Sequence, residues 1–461
     1  MELAFASACE QARLVRSREV SSVELVRTYL ERIDRLDPTI NAFVTVRHEE
    51  ALADAAAADA ATDEAPFRGV PIAIKDLTAT AGVRTTYSSR AYADHVPDFD
   101  TAVVRRLREA GFVLLGKTNT PEFGTTAFTE SDLNGATANP WDTALTAGGS
   151  SGGAAAALSA GLTPIAHGSD GGGSIRIPAS CCGVLGLKPS RGRVSSAPFP
   201  SLEGLSTAGP VSRTVEDAAA LLDVLEGYEP GDPWWAPPPE RRFADVVRDP
   251  PTGLRIAVTT TPPISTPVHH ECAAAVESAA GLVAELGHEV IEATPDWGEP
   301  DVFYAFLEVW QVGPALHPVD PSLMTSLNRG LVESAQASSA ADYARAVARL
   351  ATLARRTVAF WSRFDIVLTP TLALPPVPIG WQECVEGSIE QLLRSTAFTP
   401  FTAIANLTGL PAISLPLHWS ATGLPIGVQA IGPPAGDALV LGLAAQLESA
   451  RPWRDRRPPV S

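Results

Sequence analysis

The spacing of apolar residues divides the chain into a helical start and a middle in which strands alternate with helices. Residues 1 to about 62 carry apolar positions at helical intervals, and Ser21 or Ser22 is placed to cap a helix over VELVRTYLERI. The alanine-rich segment EEALADAAAADAATDEA predicts a second helix. After it, GVPIAIKDL predicts a buried strand, and TAVVRRLREAGFVLLGKTNT predicts a helix over 102–110 and a strand over 112–115.

The alternation continues to the end of the chain. Short apolar runs predict further buried strands in LTPIAHGSD, GVLGLKPS, LRIAVTT, FDIVLTPTL, PAISLPL and IGVQAIG. Between and after them, CAAAVESAAGLVAELG and ALVLGLAAQLESA predict helices. Strands that alternate with helices indicate an α/β fold in which helices cover both faces of the sheet.

We expect one catalytic domain spanning the whole chain, because the late strands are placed to rejoin the sheet that begins near residue 70. Its predicted regions are a helical start (1–65), a core (66–225), a proline- and aromatic-rich surface loop (226–253) and a C-terminal part of the same sheet (254–461). A mostly helical elaboration over 303–362 interrupts this last part.

Composition narrows the classes of function. The formal net charge of −17 opposes binding to nucleic acid or to anionic lipid. The five cysteines are odd in number and none has CxxC spacing, so we expect no disulfide framework, and no zinc-binding spacing is present. We expect neither a metal nor another cofactor. Without a signal-peptide pattern or an uncharged run of 18 apolar residues, the sequence predicts a cytoplasmic protein with no membrane span.

Two short motifs match known patterns but lack the required context. GFVLLGKT, over 111–118, formally matches the phosphate-binding loop, yet its central residues are apolar and favour a buried strand. GGSSG, over 148–152, matches the nucleophile elbow of α/β-hydrolases, yet the preceding NPWDTALTA is a poor strand. We expect neither nucleotide binding nor an elbow.

A third constellation is more specific. Two clusters of glycine and serine, GGSSGG over 148–153 and GGGS over 171–174, bracket an alanine-rich helix and a short strand. Closely spaced glycines leave backbone N–H groups accessible, and hydrolysis of an amide requires a nucleophile together with donors for the tetrahedral oxyanion. The second cluster, Gly171, Gly172, Gly173 and Ser174, could supply both.

A serine nucleophile needs a base, and no histidine has a convincing spacing. His167 is interpreted as structural. A buried lysine can serve when burial lowers its pKa enough to leave it neutral. Lys75 follows the apolar run PIAI, but Lys117 and Lys188 have similar settings, so local sequence leaves the choice between the three open.

GVPIAIKDL, GGSSGG and SDGGGSIRIPA together resemble the amidase signature family, and NLTGLPAISLPL and GLPIGVQAIG are similar to its C-terminal half. The resemblance spans roughly residues 10 to 455 and is greatest to the bacterial general amidases, including those that act on aliphatic, aromatic or nylon-oligomer amides. It implies the amidase signature fold, a large mixed β-sheet covered by helices on both faces.

The resemblance also implies a catalytic unit of the type Ser–cis-Ser–Lys. By motif, Ser174 is the nucleophile, Ser150 is the bridging serine next to a cis peptide bond, and Lys75 is the base. The backbone N–H groups of residues 171–174 would form the oxyanion hole. By the same analogy, Ser151, Asp170 and Arg176 support the nucleophile loop without taking part in the chemistry.

The implied activity is hydrolysis of a linear carboxylic acid amide through an acyl-enzyme, and the family contains many dimers. The alternative is the glutaminase subunit of a tRNA-dependent amidotransferase, but that subfamily has glutamine where Ile177 follows Arg176. A non-enzymatic binding module would have lost at least one of the three catalytic residues. Candidates for the substrate pocket are Thr86, Tyr87, the stretch 122–128 with Phe123, Thr125 and Phe128, and the aromatic residues Phe303, Tyr304 and Trp310.

Overall fold

Strands and helices alternate along most of the chain in the computed structural model, which describes residues 3–62, 64–199, 201–298 and 301–461. The strands in these ranges are β1 (Phe43–Val46), β2 (Pro71–Lys75), β3 (Val113–Thr118), β4 (Ala138–Asn139), β5 (Asp142–Thr146), β6 (Ile165–Asp170), β7 (Leu185–Lys188), β8 (Thr207–Ser212), β9 (Arg255–Val258), β10 (Glu289–Glu292), β11 (Ile366–Pro370), β12 (Ala412–Trp419) and β13 (Pro425–Ile431). The helices are α1 (Ala8–Arg16), α2 (Ser22–Ile40), α3 (His48–Ala60), α4 (Ala102–Glu109), α5 (Gly152–Ser159), α6 (Arg176–Cys182), α7 (Val215–Leu225), α8 (Phe243–Val246), α9 (His270–Glu285), α10 (Val302–Trp310), α11 (Val312–Ala315), α12 (Ser326–Ala337), α13 (Ala340–Val358), α14 (Ser388–Phe398), α15 (Ala403–Thr408) and α16 (Asp437–Ala450).

The N-terminal region is mainly helical, but it is not helical throughout. Of the two predicted caps, Ser21 is the one used: its side chain accepts a hydrogen bond from the Glu24 N–H. Between the two predicted helices lies β1, which pairs antiparallel with β3 and which the sequence pattern does not predict. The β-branched FVTV run of β1 stays extended because the sheet supplies its hydrogen bonds. Residues 1, 2 and 63 of the predicted 1–65 region lie outside the described residues.

One eleven-stranded sheet organises the molecule. Its strand order is β1-β3-β2-β6-β8-β7-β12-β13-β11-β9-β10. Pairings of β2 with β3 and β6 are parallel, whereas those of β8 with β6 and β7 are antiparallel, so the sheet is mixed. Strands from both halves of the chain share this sheet.

Alternate residues of the strands face two different helical layers. Ile72 and Ile74 of β2 belong to a buried cluster that also includes residues of α1, α4, α7, α9 and α16. The intervening Ala73 belongs to a second buried cluster, with residues of α2, α3, α5 and α6. Because successive side chains of a strand point to opposite faces, the two clusters show helices on both faces of the sheet, as the sequence predicts.

The later part of the chain adds a helical layer and a surface loop. Helices α10, α13 and α15 form a separate core with buried residues of β9, β11, β12 and β13. The proline-rich loop 226–253 contains only the single turn α8, and Trp235 on it is 67% exposed. Within the described ranges, no helix combines the length and the apolar character needed to cross a bilayer.

Candidate active site

The predicted catalytic residues meet at one edge of the sheet. Lys75 is the last residue of β2 and Asp170 is the last residue of β6, and the two strands are parallel neighbours. Ser174 lies in the turn between β6 and α6, and Ser150 lies just before α5. In α/β sheets, functional groups gather where parallel strands end and the chain turns away.

The two glycine-rich turns are bonded to each other. The Ser151 N–H donates to the Ser174 carbonyl at 3.0 Å, and the Gly149–Ser150 peptide bond is cis. Ser151 Oγ also donates to the Ser169 carbonyl at 3.2 Å. Ser150, Ser151 and Ser174 are all buried, with Ser174 the most accessible of the three at 7%. Ser151 therefore holds the two turns together.

Lys75 contacts Ser150 directly inside the protein. Its Nζ lies 2.7 Å from Ser150 Oγ, 3.1 Å from Ser169 Oγ and 3.3 Å from the Ser169 carbonyl. Burial lowers the pKa of Lys75 to about 7, although the charge of Asp170 acts in the opposite direction. A large share of the Lys75 side chains is therefore neutral near neutral pH and able to accept a proton.

The other two candidate lysines are also buried but have different partners. Lys117 Nζ donates to the Thr78 carbonyl at 2.6 Å and to Thr85 Oγ1 at 2.8 Å. Lys188 Nζ donates to the Pro189 carbonyl at 2.8 Å. Burial lowers the pKa of Lys117 to about 8 and that of Lys188 to about 7. Only Lys75 among the three is hydrogen-bonded to a serine of the glycine-rich turns.

Asp170 and Arg176 form a buried ion pair beneath the nucleophile turn. Two guanidinium nitrogens of Arg176 lie 2.9 and 2.8 Å from the Asp170 carboxylate. Burial favours a raised pKa for Asp170, but the charge and hydrogen bonds of Arg176 outweigh it and hold the pKa well below its usual range. The Arg176 guanidinium also donates to Asn406 Oδ1 at 2.7 Å and Gln429 Oε1 at 2.6 Å. The pair is thus fully hydrogen-bonded.

The turn 171–174 offers fewer free donors than the sequence predicts. The Gly173 N–H already donates to Asp170 Oδ1 at 2.8 Å, so it does not face an oxyanion. For Gly171, Gly172 and Ser174, no protein acceptor for the N–H lies among the described residues. Gly173 has a φ of +131°, and a Cβ there would lie 2.3 Å from Thr402 Oγ1. Of the four predicted oxyanion donors, the Gly173 N–H is therefore occupied by Asp170, whereas those of Gly171, Gly172 and Ser174 have no such partner among the described residues.

The two excluded motifs have the structure that their sequences indicate. Residues 113–118 of GFVLLGKT form β3, which pairs with β1 and β2, so its backbone is used by the sheet. The segment before GGSSG forms β5 of a two-stranded hairpin with β4, not a central strand. His167 lies within β6 and is buried, and burial lowers its pKa to about 3.

A group of possible metal ligands, His269, His270 and Glu271, lies at the start of α9. His269 Nδ1 accepts a hydrogen bond from the Glu271 N–H at 3.3 Å, and Glu271 Oε1 accepts one from the Ala421 N–H at 2.7 Å. These contacts fit a helix cap and a loop anchor.

A cavity opens beside Ser174 and includes some of the predicted pocket residues. Gly172 and Ser174 line it from the turn after β6, and Ile177 lines it from α6. Thr125, Phe303 and Trp310 line it from other segments. The Trp310 indole N–H donates to the Thr125 carbonyl at 3.1 Å, which joins two of the predicted residues directly.

Other predicted pocket residues lie elsewhere. Phe128 is 1% exposed and packs against Trp381 and Phe398, because the chain turns its ring into the core beneath the helices. Tyr304 is 60% exposed on the opposite side of α10 from the cavity. Assigning Phe128 and Tyr304 to the pocket is therefore wrong.

Tyr87 and Phe123 belong to an aromatic cluster with Tyr92 and His317. Phe123 stacks on His317 with ring centroids 4.0 Å apart, and Tyr87 packs edge-on against Tyr92. Thr86, the neighbour of Tyr87, hydrogen-bonds the Asp76 carboxylate and does not line the cavity. Tyr87 and Phe123 both have left-handed backbone conformations, with φ of +50° and +54°. The placement of Tyr87 and Phe123 in the pocket is corrected to a position beside it.

Four polar residues of the site were not singled out from the sequence. Ser169 contacts Lys75, whereas Thr402, Asn406 and Gln429 hold the nucleophile turn and its ion pair. Asn406 and Gln429 lie within NLTGLPAISLPL and GLPIGVQAIG. The sequence contains one indication of this role for Gln429. It is the single amide side chain in the otherwise apolar strand PIGVQAI, and a buried amide requires hydrogen-bond partners.

A model of the family described as Amidase matches residues 24–441, and this chain belongs to the amidase signature family of amide hydrolases. The 6-aminohexanoate-cyclic-dimer hydrolase of Pseudomonas sp. strain NK87 is 38% identical over 485 residues, covering 98% of this chain and 96% of that protein.

Two solved structures extend this comparison. A 6-aminohexanoate cyclic dimer hydrolase complexed with substrate has a TM-score of 0.93 at 36% identity and covers 100% of both chains. The A-type subunit of the glutamyl-tRNA(Gln) amidotransferase from Thermotoga maritima has a TM-score of 0.79 at 32% identity, covering 98% of this chain and 96% of that one. The fold is therefore the amidase signature fold, as the resemblance implied.

Proposed function

We propose that this protein hydrolyses carboxylic acid amides to the carboxylate and ammonia or an amine through an acyl-enzyme on Ser174. The observation that carries the proposal is the contact of 2.7 Å between Lys75 Nζ and Ser150 Oγ. It places a buried amine with a lowered pKa against a serine whose turn is bonded to the turn of Ser174. A serine with this support can act as a proton relay.

In the proposed reaction, Ser174 Oγ attacks the amide carbon and passes its proton to Ser150, while Ser150 passes its own to neutral Lys75. The carbon–nitrogen bond breaks as the proton returns through Ser150 to the leaving nitrogen. A water then attacks the acyl-enzyme along the same relay, which releases the carboxylate and restores Ser174.

The oxyanion of each tetrahedral intermediate would be held by the N–H groups of Gly171, Gly172 and Ser174. Asp170 keeps this turn in place, because it accepts hydrogen bonds from the N–H groups of Gly173 and Ile175. Donors fixed in advance stabilise developing charge without reorganising during the reaction.

We propose linear amides as substrates, with cyclic amides as a second candidate. The second candidate is favoured by the TM-score of 0.93 to a hydrolase of a cyclic amide dimer. The glutaminase function of an amidotransferase is weaker, since the amidotransferase chain has a TM-score of 0.79 and this chain has Ile177 where glutamine is expected.

The nucleophile is tested with a fluorophosphonate probe and an aryl amide on the purified protein. We expect the probe to label Ser174, and Ser174→Ala to lose labelling and at least about a thousandfold in kcat. Ser190→Ala is the matched control, because the buried Ser190 hydroxyl has no hydrogen-bond partner among the described residues and its removal should leave both readouts unchanged. Full activity of Ser174→Ala would contradict the proposal.

The substrate class is tested by assaying the same preparation with a linear aryl amide, a cyclic amide dimer and glutamine. Turnover of the linear or the cyclic amide without added partners supports an independent amidase. The proposal would be contradicted if glutamine were the only one of the three substrates turned over and if its turnover required the other amidotransferase components.

A further inference from the structure

Among the described residues, no charged side chain lines the cavity beside Ser174. Most of its lining side chains are aliphatic or aromatic, among them Ile177, Phe303, Phe306, Leu307 and Trp310. The lining, drawn from the described residues, includes no aspartate, glutamate, lysine, arginine or histidine. A charged group entering the cavity would therefore lose its water without gaining an ionic partner.

Three threonine hydroxyls of the cavity lining are already hydrogen-bonded to backbone carbonyls. The hydroxyls of Thr125 and Thr126 donate to the carbonyls of Glu122 and Phe128 at 3.1 and 2.9 Å. The Thr396 hydroxyl donates to the Leu392 carbonyl at 2.8 Å. These side chains present methyl groups, and their hydroxyl protons are already donated to backbone carbonyls. They therefore provide weak hydrogen bonding to a carboxylate or an ammonium group.

Two stacked aromatic rings form the wall nearest the reacting centre. Phe306 and Trp310 stack with centroids 5.3 Å apart, and the hydrogen bond from Trp310 to Thr125 fixes the indole. A Cβ at Gly171 would lie 3.1 Å from the Trp310 ring, and one at Gly172 would lie 3.8 Å from the Phe306 ring. The apolar wall thus begins at the proposed oxyanion donors.

The proton relay decides which half of the substrate enters this cavity. The leaving nitrogen must face Ser150, which returns the proton, and Ser150 does not line the cavity. Ser174, Gly172 and Ile177 do line it, so the carbon chain on the other side of the carbonyl is the half directed into it.

We propose that this cavity is the acyl subsite and that it selects amides whose acyl chain is apolar and uncharged. This inference rests on the proposed function and adds the chemical class of the substrate. Selection follows from desolvation, because water around a charged chain end is replaced by aromatic rings and methyl groups.

The proposal is tested with three p-nitroanilides of nearly equal chain length, carrying heptanoyl, 6-aminohexanoyl or pimeloyl acyl groups. The first ends in a methyl group, the second in an ammonium group and the third in a carboxylate. We expect kcat/KM for the heptanoyl compound to exceed both others by about 100-fold. Values within about threefold of one another would overturn the proposal, whereas unchanged turnover by Ser174→Ala would overturn the proposed function instead.

A charge introduced into the cavity should shift the selectivity. Thr396→Asp is expected to raise the ratio of 6-aminohexanoyl to heptanoyl kcat/KM by about tenfold, because a carboxylate can pair with the ammonium group. Tyr304→Asp, on the exposed side of α10, is the matched control and should leave the ratio unchanged. An equal shift in both variants would overturn the assignment of the cavity. If Thr396→Asp does not fold, the comparison of kcat/KM for the three p-nitroanilides on the wild-type protein decides the proposal.

Discussion

Lys75 and Lys117 occupy matching places in the fold but have different surroundings. Lys75 ends β2, and Lys117 is the last residue but one of the neighbouring β3. Both side chains are at most 1% exposed, and burial lowers both pKa values. Lys75 contacts two serine hydroxyls and a carbonyl. Lys117 contacts two threonine hydroxyls, a carbonyl and, at 3.8 Å, the Asp76 carboxylate.

The difference shows that burial alone does not make a lysine a general base. The charges of Asp76 and Asp100 keep the pKa of Lys117 at about 8, above the value of about 7 for Lys75. The threonine hydroxyls that Lys117 contacts, those of Thr80 and Thr85, donate their protons to the backbone carbonyls of Thr78 and Val83 and not to a serine of the glycine-rich turns. Lys75 combines a lowered pKa with a hydroxyl that leads toward the nucleophile turn, and we propose it as the base for that reason.

The largest effect expected from this comparison is on catalysis. Lys75→Met should lower kcat by at least about a thousandfold, because Ser150 then has no base. Lys117→Met, measured at a temperature where it is folded, should keep kcat within about tenfold of wild type. Steady-state kinetics with one aryl amide check both variants, and equal losses in the two would contradict the distinction between the lysines.

The second expected effect is on stability, where Lys117→Met should be more harmful than Lys75→Met. Lys117→Met should lower the free energy of unfolding by about 3 kcal/mol, because it leaves the Asp76 carboxylate buried without its ion-pair partner. Lys75→Met should leave the free energy unchanged or raise it, since it removes a buried amine. Urea unfolding followed by circular dichroism measures the difference, and a larger loss for Lys75→Met would contradict it.

The pH dependence of the free energy of unfolding tests whether the pKa of Lys75 is lowered. The folded pKa of Lys75 lies below its unfolded value, so the unfolded chain binds more protons between about pH 7 and pH 10.5. The free energy of unfolding of the wild type should therefore rise relative to Lys75→Met across that window. A constant difference between the two would show that the pKa of Lys75 is not lowered.

The smallest effect is expected at Ser169. Its hydroxyl lies 3.1 Å from Lys75 Nζ and stabilises the protonated amine as an acceptor. Ser169→Ala should change kcat by less than about tenfold, which is about 1.4 kcal/mol, and should move the acid limb of the pH–rate profile to lower pH. A profile displaced to higher pH would contradict this contact, and Ser190→Ala supplies the control.

The sequence predicts the α/β class, most strands and the two serine turns because these depend on local patterns. The segment FVTV of β1 lies between two strongly predicted helices, and it forms a strand only because it pairs with β3. The choice among Lys75, Lys117 and Lys188 depended on family resemblance. All three follow apolar runs, and their partners come from segments distant along the chain.

The site beyond the serines depends on tertiary contacts that no local pattern contains. Asp170 bonds Asn406, 236 residues away, and Arg176 bonds Gln429, 253 residues away. Phe128 and Trp310 both look suitable for a pocket, yet only Trp310 lines it, because the orientation of each ring is set by the helices packed around it.

The central claim is that neutral Lys75 activates Ser174 through Ser150. The most direct test is the rate of fluorophosphonate labelling of Ser174 between pH 5 and pH 9, in the wild type and in Lys75→Met. We predict a wild-type rate that rises about tenfold per pH unit and levels off above about pH 7, with labelling of Lys75→Met slow throughout. A wild-type rate independent of pH, or equal rates in the two proteins, would contradict the claim.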